Sequence, residues 1–193
     1  MPKVMRWMYP KRIWAFSRSE PKIYLTFDDG PIPEVTPWVL DLLKEYNAKA
    51  TFFCIGENVQ KHPEIYNRII AEGHSVGNHT FHHLNGWKTN TSTYIEDVSK
   101  AAEYIDSKLF RPPYGRITSN QAKQLKKKGY RIIMWDVLSY DFEASVSEEK
   151  CLHNVLNNIE NGSIVVFHDS VKAEKNLRYV LPKVLNIFFS NCI

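Results

Sequence analysis

Short apolar runs alternate along this chain with segments whose apolar positions recur every three to four residues. "KIYLTF" (22–27) has the continuous apolar character of a strand buried on both faces, and "TPWVLDLLKEYNA" after it has helical spacing. Thr36 is the expected N-cap of that helix, with Pro37 in its first turn. "ATFFCIG" predicts a second strand, "HPEIYNRIIAEG" a helix stopped by Gly73, and "HSVGN" a short third strand. A helix is expected from near Thr93 to about Lys108, opened by a capping box between Thr93 and Glu96. "LFRPPY" is a fourth strand leading to a helix from Ser119 to Lys128 that stops at Gly129. "YRIIMW" is a fifth strand, Ser147 to Glu160 a helix, "SIVVFH" a sixth strand, and Leu177 to Phe189 a last helix containing Pro182.

Strands alternating with helices of this length imply parallel strands joined by crossovers, in an open α/β sheet or a barrel. Such folds gather their functional residues at the C-terminal ends of the strands. No repeat or linker divides the 193 residues, so one domain is expected, with residues 1–21 as an N-terminal arm. That arm mixes basic and apolar residues without the continuous apolar run of a signal peptide or membrane span, which points to the cytoplasm. Association of the Trp-bearing basic segment with an envelope surface is the alternative.

The net charge of +4 is mild and its densest run, "KQLKKKGY", reads as the exposed end of a helix, so nucleic acid is not an expected partner. Three scattered cysteines, Cys54, Cys151 and Cys192, have neither metal-ligand nor redox spacing and are expected as free thiols.

The strand ends carry the chemistry. The first ends in "TFDDGP", where Gly30-Pro31 breaks the strand so that Asp28 and Asp29 can serve one site. The third runs into "NHTFHH", in which His79 and His83 have the spacing of one helical turn and His82 points elsewhere. Two histidines are too few for a catalytic metal, which usually has three protein ligands. Later strands deliver Arg111, Asp136, Asp141 and His168. Any one of these could be structural; all at one rim would require repeated coincidence.

Five ordered segments, "TFDDGP", "HTFHH", "RPPYG", "DF" at 141–142 and "VVFHD", resemble the motifs of the NodB-like polysaccharide deacetylases, the family-four carbohydrate esterases. The resemblance spans Ile23 to about Asp169 and implies a distorted (β/α) barrel. Two departures accompany it: Phe142 stands where the family usually has Trp, and the chain reaches "FFSNCI" where relatives continue into a further strand, so a barrel open on one side is expected.

The resemblance implies that Asp29, His79 and His83 hold one divalent metal, zinc first, with cobalt, nickel, manganese or iron compatible with the same donors. Asp28 is then the general base and Arg111 its partner, the Tyr114 backbone N–H an oxyanion donor, and His168 the acid, tuned by Asp141 with Asp136 as the fallback. The activity implied is removal of acetyl groups from N-acetylated or O-acetylated sugars of a glycan. A small-molecule amidohydrolase and a catalytically silent glycan-binding module are the alternatives, and an iron oxygenase, which shares the ligand types, fits the neighbouring groups less well. Tyr114, Trp87, Trp135 and Phe142 are candidates for stacking on a sugar face.

Overall fold

In the first strand, β1 (Tyr24–Asp28), alternate side chains face opposite ways: Leu25 and Phe27 join the helical layer, while Thr26 and Asp28 share the other face. Phe27 stacks between Phe52 of β2 (Thr51–Cys54) and Phe167 of β7 (Ile164–His168), with ring centroids 5.1 and 5.8 Å away. These three buried rings tie the central strands together.

The structure is a computed structural model that describes residues 7–190. Seven strands form one sheet in the order β5-β4-β3-β2-β1-β7-β6, every pairing parallel. The remaining strands are β3 (Ser75–Asn78), β4 (Leu109–Phe110), β5 (Arg131–Ile132) and β6 (Val137–Leu138). Helices α1 (Thr36–Glu45), α2 (Gly56–Lys61), α3 (Pro63–Ala71), α4 (Thr91–Ala101), α5 (Ser119–Lys127), α6 (Glu148–Leu156) and α7 (Glu174–Ser190) connect the strands or follow the last of them. The sheet is a half-barrel whose edge strands, β5 and β6, do not pair with each other.

The arm occupies part of that gap. Ile13 bridges Ile133 in parallel and Ala15 bridges Ser163 in antiparallel fashion, so the chain crosses from the β5 edge to the start of β7. Trp14 is buried there against a cluster that includes Phe110 and Met134. The arm is thus joined to the sheet by backbone pairing at Ile13 and Ala15.

Several local expectations need correction. Thr36 is not the N-cap of α1: it lies inside the helix, is fully buried, and donates its hydroxyl to Asp169 at 2.6 Å. The helix expected near Thr93 begins at Thr91, capped by Asn90 accepting from the Thr93 N–H, and ends at Ala101 rather than about Lys108. Helix α2 and strand β6 had no sequence signal, so the expected sixth strand is the seventh. "YRIIMW" forms a strand over only two residues: the Ile133 N–H still donates to the Phe110 carbonyl of β4, but the Met134 N–H turns to the Ile13 carbonyl of the arm. Helix α5 is opened by a reciprocal capping box between Thr118 and Gln121. Gly73 and Gly129 end their helices with positive φ, as expected. Cys54 and Cys151 are free and buried; Cys192 lies outside the described residues.

Candidate active site

Parallel register brings the strand ends to one level. Asp28 lies opposite His168 of β7 and Phe53 of β2, Cys54 opposite Asn78, and Asn78 opposite Phe110. The residues that follow those ends, Asp29, His79 and Arg111, therefore converge on one rim, over a pocket of about 530 Å³.

Asp28 and Thr26, two residues apart on one face, are both bound by Arg111 from the other side of the half-barrel. Its Nη1 donates to Asp28 Oδ1 at 2.7 Å and to Thr26 Oγ1 at 2.7 Å, and its Nη2 to the Met134 carbonyl at 3.0 Å. The guanidinium is fully buried, lies 4.1 Å over the Phe53 ring, and leaves Nε without a partner. Burial lowers the Arg111 pKa, opposed by Asp28. A charge placed so deep is tolerated because its partner carboxylate is fixed beside it.

Asp29 takes the opposite direction from Asp28. Its φ of 84° turns the chain out of the strand just before the cis Gly30-Pro31 bond, and Asn58 of α2 donates to its carbonyl at 2.7 Å. The carboxylate then lies 3.2 Å from His83 Nε2 and 3.7 Å from His79 Nε2. One ligand atom from each of the three residues falls within 4.8 Å of the others. Although burial opposes it, the hydrogen bond from His83 and the neighbouring imidazoles hold the Asp29 carboxyl well below its usual range.

The two histidines do not reach this site along a helix, as their spacing suggested. His79 follows β3, and Thr80 and His83 both adopt left-handed backbone, with φ of 65° and 56°. Buried groups fix this turn: Asn78 Oδ1 accepts from the Thr80 N–H, and Asp97 of α4 accepts from the N–H groups of Phe81 and His82. Asp97 also binds His82 Nδ1, which directs that ring away from the site. His79 donates Nδ1–H to the Arg111 carbonyl at 2.7 Å, leaving the Nε2 lone pair toward Asp29. Burial pushes the His79 pKa down to about 4, so the ring is a neutral donor at physiological pH.

Across the pocket, His168 Nδ1 lies 2.7 Å from Asp141 Oδ1, and the His168 backbone N–H donates to Asp141 Oδ2 at 2.8 Å. Burial alone would disfavour the imidazolium, but the charge and hydrogen bond of Asp141, with Asp29 and Asp28 behind it, push His168 up to about 9. Asp136 is elsewhere. It pairs with Arg18 of the arm at 3.0 Å and accepts from Ser163 Oγ and the Ile164 N–H at the opposite end of β7. The fallback role is thereby excluded on geometry.

Phe142 forms a pocket wall, edge-on to His168 with centroids 4.7 Å apart. Trp135 and Tyr114 also line the pocket, whereas Trp87 is exposed outside it beside Arg116. Tyr114 holds its peptide at φ 60°, ψ 8°, a conformation costly for a non-glycine residue, and its ring lies 4.6 Å from that of His83.

One buried acid escaped the sequence reading. Asp169 accepts from the Gly30 N–H at 3.1 Å and from Thr36 Oγ1 at 2.6 Å, and a Cβ at Gly30 would overlap its carboxyl group. It pins the Asp28-Asp29-Gly30 turn to β7 and α1. Burial foremost, with Asp29 nearby, pushes its pKa up to about 8. Asp97, Asn78 and Asn58 were missed similarly, since nothing in their local sequence marks them as supports.

A carboxylate with two imidazoles, a second carboxylate held by arginine and an imidazole kept charged, all facing one pocket, are the groups a metal-assisted hydrolase requires. Comparison with known proteins agrees. The family model for polysaccharide deacetylase matches residues 17–133. A peptidoglycan-N-acetylglucosamine deacetylase of Bacillus cereus is 41% identical over 168 residues, covering 83% of this chain and 61% of that protein's length. A chitooligosaccharide deacetylase of Azorhizobium caulinodans is 36% identical, covering 86% of this chain and 89% of that one. Among solved structures, a peptidoglycan N-acetylglucosamine deacetylase in complex with 4-naphthalen-1-yl-N-oxidanyl-benzamide superposes with a TM-score of 0.84 at 35% identity, covering 97% and 91% of the two chains. The chain belongs to the polysaccharide deacetylase family, and its sheet is a distorted, open NodB-like barrel.

Proposed function

We propose that this protein hydrolyses the acetamido group of N-acetylated sugars in a glycan, releasing acetate and leaving a free amine. The observation that carries this reading is the placement of two charge pairs across one pocket: the Asp28–Arg111 pair on one side and the His168–Asp141 pair on the other. The relatives named above act on peptidoglycan and chito-oligosaccharides, which share the N-acetylglucosamine unit, and that unit is the substrate we assign.

Asp29, His79 and His83 suit a divalent cation: one carboxylate and two imidazole donors, with His79 held in the tautomer that presents Nε2. Zinc matches this donor set best, and when bound it supplies a Lewis acid and a water of lowered pKa. Asp28, fixed by Arg111, takes a proton from the attacking water. Arg111 cannot give up its proton and so keeps a positive charge under that carboxylate throughout. The backbone N–H of Tyr114, at the rim, is assigned to the oxygen of the tetrahedral intermediate. His168 begins protonated and delivers its Nε2 proton to the departing nitrogen, while Asp141 holds Nδ1–H and offsets the charge. Phe142 presses on the His168 ring and limits its water contact.

The test is acetate release by the metal-reconstituted protein from chito-oligomers, peptidoglycan fragments, acetylated xylan and small amides, each beside a chelated control. Release from the first two that the chelator abolishes is the expected result. Turnover of small amides alone would make the protein a small-molecule amidohydrolase, and glycan binding without release would make it a silent module.

A further inference from the structure

The arm and α5 enclose a second cavity, of about 620 Å³, that shares no lining residue with the catalytic pocket. Its wall carries Lys11 and Arg12 from the arm and Lys123, Lys126 and Lys127 from α5, and no acidic side chain. The α5 lysines fall three and four residues apart, so the helix directs them along one face. None of the five enters an ion pair among the described residues. Arg12 instead lies 3.9 Å over the Tyr9 ring and donates to the Ile117 carbonyl, and Lys126 donates to the Lys11 carbonyl. Burial and the adjacent Lys11 and Arg12 charges lower the Lys126 pKa, as expected where like charges crowd without a counter-ion.

Beside these charges stand Met8, itself a lining residue, and Trp7, 54% and 82% exposed. Large apolar side chains left exposed among the described residues, next to lysines without an ion pair there, are the two halves of an interfacial membrane-binding surface. A soluble polyanion would answer the lysines but offer nothing apolar to Trp7 and Met8.

We propose that the face formed by the arm and α5 docks the protein on an anionic lipid bilayer, with the lysines over the headgroups and Trp7 and Met8 at the acyl boundary. Each basic residue near such a surface contributes about 1 kcal/mol, so three exposed lysines account for roughly a hundredfold in affinity. Trp prefers this depth because its ring is apolar and its N–H can remain hydrated.

Flotation of the full chain with phosphatidylcholine vesicles, with and without phosphatidylglycerol, tests the proposal. Binding only to the phosphatidylglycerol vesicles, weakening with salt, is expected. Lys11→Glu/Lys123→Glu/Lys127→Glu should reduce it at least about 100-fold, and Trp7→Ala about tenfold. Should the charge-reversed variant fold poorly by circular dichroism, the triple Lys→Gln variant reads the same loss. Acetate release from soluble chito-oligomers should be unchanged in these variants, which keeps the outcome separate from the catalytic reading. Absent binding, equal binding to neutral vesicles, or indifference to Trp7→Ala would overturn the proposal, the last by reassigning the lysines to a soluble polyanion such as dextran sulfate.

Discussion

Asp141 holds His168 from two directions, accepting its backbone N–H at 2.8 Å and facing its Nδ1 at 2.7 Å, so the carboxylate sets both the position and the charge of the ring. With His168 pushed up to about 9, its proton is present at neutral pH and is lost as pH rises through that value. The alkaline limb of the kcat/KM profile should therefore report His168. Asp141→Asn removes the stabilising charge and should move that limb to lower pH. Asp136→Asn, at the other end of β7, should leave it in place. A pH–rate series on the three proteins decides this; an unmoved limb in the Asp141 variant would remove His168 from the acid role. The same sign applies to stability: the pair contributes fully below the unfolded histidine value near 6.5, and the contribution disappears as pH rises toward about 9.

Asp28 and Asp29 are adjacent but face different partners, Arg111 and the imidazoles. Asp28→Asn should lower kcat by about 10² to 10⁴ while zinc content measured by atomic absorption stays near one per chain. Asp29→Asn should lose metal and activity together. The reverse pattern would exchange the two roles.

The Arg111–Asp28 pair is buried on both sides, so breaking it is costly. Arg111→Met leaves a carboxylate among apolar groups and should destabilise the fold by about 3–5 kcal/mol in urea unfolding. Adding Asp28→Asn removes that uncompensated charge, and the double variant should be more stable than Arg111→Met alone. Additive losses would show that the pair is not coupled.

Asp169 does not line the pocket, yet it holds the turn that carries Asp29. Asp169→Ala strands the Gly30 N–H and the Thr36 hydroxyl, at about 1–3 kcal/mol for each buried unsatisfied group. Weaker zinc binding by calorimetry should accompany the lower Tm. Asp169→Asn keeps an acceptor for Gly30 and should restore most of both, whereas equal zinc affinity in the alanine variant would show the turn to be rigid without Asp169.

The alternation of strand and helix, the chemistry at the strand ends and the separation of His79 and His83 from His82 were legible in the residue order. They depend on local pattern and on short motifs, which the order of residues carries. The backbone route between the two histidines was not legible, because four-residue spacing is shared by a helical turn and by this left-handed loop. What selects the loop is Asp97, on a helix distant in sequence. The same holds for Thr36, whose preference for an N-cap yields to a buried hydrogen bond with Asp169, 133 residues away.

Read alone, then, the sequence determined which groups exist and which strand end carries each. The tertiary structure put Asp141, the residue named by the motif resemblance, beside His168 and Asp136 at the other end of β7, and it alone revealed the supports under the site and joined the arm to α5 in a second cavity. The physical reason is that register, burial and long-range hydrogen bonds are properties of pairs of segments: β7 holds one acid beside His168 and the other beside Ile164, and those contacts join residues 27 and 28 positions apart.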